Sequence, residues 1–351
     1  MEYRQLGRSG LRVSTITLGT MGYGGSGSFA AVGTLGVEDC KRQLDICLDA
    51  GVNFVDTANM YSGGQSEEIL GEALESRRDR LLVATKVRFP MGDGPNDAGL
   101  SRHHILASVE DSLRRLRADH IDLLQVHQWD GLTPYEETLD TLDTLVRSGK
   151  VRYVGCSNYT AWQMMKGLGI SERRGFQPFI CTQIHYTPQA REAEFEIIPA
   201  VLDQGLGTLI WSPIAGGLLS GKYRRDQQGP EGSRQMSDWG EPPVYDEDAL
   251  YNLIDVLVEV GDAHGVSAAQ VTLAWLLGRP AVTSVIVGAR TDEQLKDNLA
   301  AADLELTDEE VARIEEVSRP PLPYPLWHQS ANASDRLSDA DLSVLGRHLQ
   351  D

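Results

Sequence analysis

The sequence predicts a single (β/α)8 (TIM) barrel, and three observations point to it. The 351 residues are 41% hydrophobic and 24% charged, which is typical of a globular protein with a large core. Short apolar runs of strand length alternate with segments of helical period, as in a parallel sheet. The turn that starts at Gly19 leads into a loop. Counted from the end of the strand, its glycines do not have the G-x-G-x-x-G spacing of a doubly wound sheet.

Eight strands are predicted from the apolar runs, at residues 16–18, 53–55, 81–85, 121–126, 153–156, 182–184, 208–211 and 285–287. Segments of helical period separate them. One spans 39–50 and ends at Gly51, and another spans 133–148. In the second, Thr133 and Glu136 form a predicted capping box, Pro134 stands at N1 and Gly149 closes the helix.

Further elements are predicted at both ends of the barrel. Residues 3–13 have the pattern of a β-hairpin around Gly7-Arg8-Ser9-Gly10 that plugs the barrel floor. A capping box from Thr307 to Glu310 starts an extra C-terminal helix. We therefore expect a barrel domain over residues 1–319 and a Pro-rich tail over 320–351. The tail has a possible short helix for docking on this chain or another, with Leu337, Leu342, Leu345 and Leu349 on it.

Charge and cysteine content exclude several function classes. The chain has 32 basic and 51 acidic residues and a formal net charge of -19, which repels nucleic-acid backbones and anionic membrane surfaces. We expect neither as a partner, and we leave homo-oligomerisation open. With no signal peptide recognised, the expected location is the cytoplasm. The residues Cys40, Cys47, Cys156 and Cys181 form no C-x-x-C pair, and reduced structural thiols are expected.

Ionisable residues stand at the ends of three neighbouring predicted strands. Asp56 follows the second strand, Lys86 the third and His127 the fourth, and Tyr61 lies five residues beyond Asp56. Each has an ordinary structural explanation when taken alone, as a helix cap, a solvated lysine or a buried histidine. In a barrel, however, strand carboxyl ends share one face, so the four side chains are expected to converge there.

These four residue types together can protonate a carbonyl oxygen. A neighbouring ammonium favours the phenolate form of a tyrosine and makes it a better acid, which is the role predicted for Lys86 beside Tyr61. Asp56 would hold Lys86 charged, and neutral His127 would orient the substrate oxygen. We find no nucleophile–base pair, and His103-His104 lacks the spacing of a metal site, so no metal is predicted.

The same residues resemble the tetrad of the aldo-keto reductase superfamily. The resemblance rests on residues 53–58 followed by Tyr61, on Thr85-Lys86 and on residues 123–127, and it extends over almost the whole chain. It implies NADPH-dependent reduction of aldehydes and ketones to alcohols, or the reverse oxidation. Asp56, Tyr61, Lys86 and His127 would be the catalytic residues, with Tyr61 as the acid.

The resemblance also implies an NADP(H) site in the second half of the chain. Residues 155–158 and Gln183 are similar to the carboxamide-binding residues, Trp211 to the ring-stacking aromatic, and residues 212–222 to the pyrophosphate loop. Glycine-rich backbone accommodates an anion, although an ordinary flexible loop has the same composition. The implied set is Gly19, Thr20, Met21, Asp56, Ser157, Asn158, Gln183, Trp211, Ser212, Pro213, Ile214, Gly216, Leu218, Lys222, Arg234, Gly288, Arg290, Gln294 and Asn298.

Preference for NADPH over NADH is assigned to Arg290, which can bind a phosphate at a helix whose predicted N-cap is Asp292. Gln294 stands where many members of the superfamily carry a second basic residue. Arg234, in the long loop after the seventh strand, is an additional phosphate contact or a surface charge.

Substrate contacts are expected from the tryptophans of the loops and the tail. Trp129, Trp239 and Trp327 are the candidates, and aromatic walls suit an apolar or ring-bearing carbonyl or alcohol. Two other functions stay open. The superfamily includes potassium channel β subunits, so a cofactor-binding regulatory or redox-sensing subunit is one alternative. An aldolase or isomerase with Lys86 as Schiff base is the other, and Asp56 argues against it.

Overall fold

The fold comes from a computed structural model that describes residues 1–225, 227, 229, 230, 235 and 242–349. An N-terminal antiparallel hairpin, β1 (Tyr3–Gln5) and β2 (Arg12–Ser14), precedes the barrel strands. These are β3 (Ile16–Gly19), β4 (Phe54–Asp56), β5 (Leu82–Val87), β6 (Ile121–Val126), β7 (Val151–Ser157), β8 (Cys181–His185), β9 (Gly207–Trp211) and β10 (Ser284–Val287). They close in the order β10-β3-β4-β5-β6-β7-β8-β9, and the predicted barrel is confirmed.

Helices surround the barrel and extend beyond it. They are α1 (Val37–Asp49), α2 (Gln65–Leu74), α3 (Arg102–Leu116), α4 (Tyr135–Arg147), α5 (Ala161–Arg174), α6 (Ile197–Gln204), α7 (Glu247–His264), α8 (Ala268–Leu277), α9 (Asp292–Ala300), α10 (Asp308–Ser318), α11 (Leu326–Asn332) and α12 (Asp339–Leu345). None of the helices in the described part of the chain is long and apolar enough to span a membrane.

The hairpin closes the amino-terminal end of the barrel. Leu6 and Val13 are fully buried and pack against apolar side chains from the strands. Gly7 has a positive φ of 61°, and a Cβ there would lie 2.1 Å from the carbonyl oxygen of Ile180, so only glycine allows this close approach. Arg8 donates its backbone N–H to the carbonyl of Gly205 at 2.9 Å. The predicted plug is therefore present.

Inside the barrel, the inward-facing side chains of the strands form two stacked layers. The lower layer is apolar and contains Phe54, Ala84, Leu123, Cys181 and Leu209. Because side chains on one face of a strand recur every second residue, the next inward layer is two residues further on. That layer contains Asp56, Lys86, Gln125, Gln183 and Trp211. The apolar layer below therefore supports a polar layer at the carboxyl end.

Two of the predicted helix caps are wrong, and a third is confirmed. Pro134, not Thr133, is the N-cap of α4, because the Thr133 hydroxyl donates instead to the Asp130 carboxylate at 2.6 Å. Thr291, not Asp292, is the N-cap of α9. The capping box at Thr307 is present at the start of α10.

The C-terminal segment folds back on the barrel. Val344 and Leu345 of α12 are buried, whereas Leu342 is 43% exposed, so only part of the predicted apolar face is covered. Beyond α12, Arg347 lies 3.0 Å from the Glu315 carboxylate of α10. The division at residue 319 stays a prediction.

The four cysteines are free and buried. Burial raises the pKa of the Cys40, Cys47 and Cys156 thiols to about 12. At neutral pH these three groups are uncharged thiols, because the thiolate is the form that burial disfavours.

Candidate active site

Lys86 is the fully buried centre of the polar layer. Its ammonium donates to the Asp56 carboxylate, to the carbonyl oxygen of Thr57 at 2.8 Å and to the hydroxyl oxygen of Tyr61 at 3.3 Å. These three bonds use all three N–H donors of an ammonium. Burial by itself lowers the pKa of Lys86, but Asp56 and Tyr61 raise it further than burial lowers it. Lys86 is therefore charged and held in one orientation.

Asp56 is bonded through both of its carboxylate oxygens. Oδ1 pairs with Lys86, and Oδ2 accepts from Gln183 Nε2 at 2.8 Å and from Gln125 Nε2 at 3.2 Å. The carboxylate is only 2% exposed, so these donors replace the water that would solvate it at the surface. Gln125 was not predicted from the sequence.

Tyr61 lies on a sharp turn beyond β4. The next residues, Ser62, Gly63 and Gly64, all have positive φ values, of 50°, 65° and 101°. The Ser62 hydroxyl donates to the carbonyl of Tyr23 at 3.1 Å and ties the turn to the loop after β3. This geometry holds the Tyr61 ring over Lys86, 5.0 Å from its Nζ atom.

His127 follows β6 on the other side of Tyr61. The two rings meet edge to face, with centroids 6.0 Å apart, and the Phe89 ring packs on His127 at 4.8 Å. Burial lowers the pKa of His127 well below its usual value, and the charges of Lys86 and Arg88 add to this shift. The imidazole is therefore neutral at physiological pH and can serve as a hydrogen-bond donor without carrying charge.

A cavity of about 770 Å³ opens above these residues. Asp56, Tyr61 and His127 line it, while Lys86 lies beneath and acts on it through Tyr61. All but two of the predicted cofactor-binding residues also line it. The exceptions are Leu218, whose side chain packs in the core, and Arg234, which lies outside the described residues.

Two of the three predicted substrate tryptophans, Trp129 and Trp327, do not line this cavity. Trp129 packs instead against Tyr135 of α4, with ring centroids 5.0 Å apart, and against Trp162 of α5. Trp327 is 51% exposed on α11. Trp239 lies outside the described residues.

Apolar side chains that were not predicted line the cavity near Tyr61 and His127. Phe29, Met60 and Phe89 line the cavity, and the Phe29 ring lies 5.6 Å from that of Tyr61. Phe89 stands three residues after Lys86 in the loop beyond β5, which is the sequence signal for its position at the rim. No comparable sequence signal indicated that Phe29, in its glycine-rich loop, would line the cavity.

The loop after β9 forms a backbone cradle at the other end of the cavity. Ser212, Ala215, Gly216 and Gly217 have positive φ values, and the Lys222 Nζ atom would lie 3.3 Å from a Cβ at Gly217. The N–H groups of Ala215, Gly216 and Gly217 donate within the loop, to the Ser212 carbonyl, the Ser212 hydroxyl and the Ile214 carbonyl, and these bonds fix the bend. The positive charge for an anion beside this loop comes from the Lys222 ammonium. Glycine is needed at Gly217, where φ is 98°.

The far wall of this end comes from the start of α9. Gly288, Arg290, Gln294 and Asn298 line it, and the backbone N–H of Arg290 donates to the Gln294 side chain at 3.0 Å. With the helix N-terminus beside it, the Arg290 guanidinium is suited to a phosphate group.

Asn158 connects the two ends of the cavity. Its Nδ2 donates to the carbonyl of His127 at 3.1 Å, and its Oδ1 accepts from the Trp211 indole N–H at 3.0 Å. Behind Trp211 lies the His185 ring, 4.6 Å away and tilted by 30°. The His185 ring therefore packs on the Trp211 indole, and Asn158 binds the indole N–H. These two contacts fix the orientation of the indole at the cavity wall.

The donor set fits a nicotinamide dinucleotide. Lys222 beside the cradle suits a pyrophosphate, and Arg290 suits a ribose phosphate. Trp211 offers an aromatic face, and Ser157, Asn158 and Gln183 offer polar groups for the ring amide. The described residues contain no group of three or more His, Cys, Asp or Glu side chains suited to a metal ion.

The barrel places the buried pair of Asp56 and Lys86, with Tyr61 beside it, at the carboxyl ends of its strands, where barrel enzymes carry their active sites. The chain belongs to the Aldo/keto reductase family, whose sequence model matches residues 15–319. It is therefore an oxidoreductase of the type that acts on carbonyl groups.

Several curated proteins are similar to this chain. It is 40% identical to an uncharacterized oxidoreductase, YrpG, of Bacillus subtilis (strain 168), over 90% of this chain and 94% of that protein. It is 36% identical to versiconal hemiacetal acetate reductase of Aspergillus parasiticus, over 93% of this chain and 99% of that protein. Identity is also 36% with a probable voltage-gated potassium channel subunit beta of Arabidopsis thaliana, over 87% of this chain and 92% of that protein.

Proposed function

We propose that this protein reduces an aldehyde or ketone to an alcohol with NADPH, or catalyses the reverse oxidation. The observation that carries the proposal is the contact between the charged Lys86 and the hydroxyl oxygen of Tyr61 at the base of a dinucleotide-sized cavity. The chemistry that NADPH would supply when bound is a hydride for the carbonyl carbon. The residues of the chain supply the proton and the orientation.

Tyr61 is the proton donor. Its oxygen accepts from Lys86 and the residue lines the cavity, so we assign its O–H as the proton that passes to a substrate oxygen bound there. As negative charge develops on that oxygen, the ammonium of Lys86 stabilises the phenolate that Tyr61 becomes. His127 is neutral, and it donates to the same substrate oxygen and holds it within reach of Tyr61.

We assign NADPH rather than NADH because Arg290 lines the cavity beside the N-terminus of α9, and a guanidinium there would suit a phosphate on the adenosine ribose. The substrate is an apolar or aromatic carbonyl compound. Phe29, Met60 and Phe89 offer apolar surface beside Tyr61 and His127, and one similar protein is named for reduction of versiconal hemiacetal acetate.

A second candidate function is a cofactor-binding regulatory subunit with little turnover. It is favoured by the similarity to a probable potassium channel β subunit. Both functions require dinucleotide binding, and only the first requires that Tyr61, Lys86 and His127 act on a substrate.

The test is a titration with NADPH and NADH followed by tryptophan fluorescence, and then by nicotinamide absorbance with a panel of aromatic and aliphatic aldehydes. We expect tighter binding of NADPH and loss of absorbance with the aromatic aldehydes. Binding without turnover across the panel would support the regulatory subunit, and no binding of either dinucleotide would refute both functions.

A further inference from the structure

Gln125 contacts the catalytic carboxylate but does not reach the cavity. It is fully buried on β6, two residues before His127, and its Nε2 donates to Asp56 Oδ2 at 3.2 Å. The register places it directly beside Lys86 of β5. It is not among the residues that line the cavity in the described part of the chain, so it would touch neither substrate nor cofactor.

We propose that Gln125 is a positioning residue that sets the acidity of Tyr61 through Asp56 and Lys86. This inference rests on the proposed function, because it assigns a role within the same acid–base centre. Two amides, Gln125 and Gln183, hold Oδ2 of Asp56, which leaves Oδ1 directed at Lys86. With Asp56 fixed, the third N–H of Lys86 stays directed at Tyr61.

The two amides have different surroundings. Gln183 lines the cavity, so a ligand bound there can contact it. Gln125 is enclosed by protein, so a ligand cannot displace it. Gln183 Nε2 also lies 3.4 Å from Gln125 Oε1, so Gln125 supports Gln183 as well as Asp56. Gln125 therefore keeps its contact with Asp56 whether or not a ligand occupies the cavity.

Removal of the Gln125 amide has a defined electrostatic consequence. Its N–H group presents the positive end of a dipole to a centre where the charge is not screened by water. In Gln125→Met that positive end is lost, so the phenolate of Tyr61 is less stable. The phenolate titration of Tyr61 then moves to higher pH, and Tyr61 becomes a weaker acid.

The experiment compares Gln125→Met with Gln163→Met, a matched loss of a buried glutamine whose Oε1 accepts from Thr160 at the start of α5. The Tyr61 titration is read from phenolate absorbance in the protein without cofactor, as the difference between each protein and the same protein carrying Tyr61→Phe. Among the described residues, Lys86 donates to the Tyr61 oxygen, His127 meets its ring edge to face, and Asp56 acts on it through Lys86. We expect a shift to higher pH and a fall in kcat of about tenfold for Gln125→Met alone, the size of one charge-assisted hydrogen bond. The Kd for NADPH should stay within about twofold, since Gln125 does not line the cavity.

A second variant, Gln125→Glu, tests the same role by its pH profile. Ionisation of two facing carboxyl groups is disfavoured, so at acidic pH the new group holds a proton and donates an O–H to Asp56. We expect turnover near the wild-type level at acidic pH and a loss as the pH rises and this proton leaves. A defect that is equal at all pH values would overturn the proposal.

Two other results would overturn it. One is a Gln125→Met protein with wild-type titration and kcat, and the other is a fall in kcat matched by an equal loss of NADPH affinity. If Gln125→Met does not fold, the profile of Gln125→Glu decides. Failure of the proposed function is distinguishable, because the titration of Tyr61 needs no cofactor, whereas wild-type protein that binds no dinucleotide refutes the function directly.

Discussion

The two ends of the cavity are built in opposite ways. At the acid–base end, Lys86 and Asp56 are buried and bonded to each other and to neighbouring amides. At the proposed dinucleotide end, Lys222 and Arg290 are exposed, and Lys222 lies beside the backbone cradle after β9. A proton donor needs a fixed charge beside it in a poorly screened site, whereas an anion site must be open for a ligand to enter. Variants at the two ends should therefore fail in different ways.

The largest expected effect is the loss of turnover in Tyr61→Phe. The variant keeps the ring but has no proton to donate, so kcat should fall by about 10³-fold, within the range of general-acid catalysis. The Kd for NADPH, measured by fluorescence, should change by less than about twofold. A joint loss of kcat and affinity would mean that Tyr61 is structural.

The next effect contrasts the two lysines in folding. Lys86→Met leaves Asp56 buried without its charged partner and should lower the free energy of unfolding by about 3–5 kcal/mol. Lys222→Met removes an exposed charge and should change it by less than about 0.5 kcal/mol. Chemical denaturation measures both. Equal losses for the two variants would contradict the contrast between the ends.

Arg290→Ala tests the dinucleotide end alone. We expect the Kd for NADPH to rise by about tenfold or more, the value of one or more charge-assisted hydrogen bonds to a phosphate. The Kd for NADH should barely change, and so should kcat at saturating NADPH. Equal weakening of both dinucleotides would refute the assignment of Arg290 to the phosphate.

The smallest effect concerns His185, which supports Trp211 between the two ends. Burial lowers the pKa of His185 to about 4, whereas an unfolded histidine titrates near ~6.5. Below that pH the unfolded chain binds the proton first, so stability contributed by neutral His185 is lost as the pH falls. His185→Phe keeps an aromatic ring there and should lose less stability than wild type between about pH 7 and pH 5. Identical pH dependence in denaturation would show that His185 is not buried in solution.

The barrel and the acid–base end were predictable because they follow from strand period and strand ends. Asp56, Lys86 and His127 each close an apolar run, and the carboxyl ends of all strands share one face. The same period of two also indicates Gln125, which lies between Leu123 and His127 on the inward face of β6. That signal was available in the sequence, but a lone glutamine in an apolar strand does not reveal what it contacts.

Loop side chains were predicted less well, because packing partners from elsewhere in the chain decide their direction. Trp129 stands two residues after His127, yet Tyr135 and Trp162 draw it into an aromatic cluster. The predicted cap at Thr133 failed for a similar reason, since its hydroxyl donates to Asp130 instead. Local sequence identifies candidates of this kind but not the tertiary contact that each of them makes.

Single-turnover absorbance tests most directly whether one end of the cavity donates the proton and the other end binds the dinucleotide. Protein saturated with NADPH is mixed with an aromatic aldehyde, and the loss of nicotinamide absorbance is compared among wild type, Arg290→Ala and Tyr61→Phe. The structure predicts equal rates for the first two and a rate about 10³-fold lower for Tyr61→Phe. A wild-type rate in Tyr61→Phe, or a slow step in saturated Arg290→Ala, would contradict it.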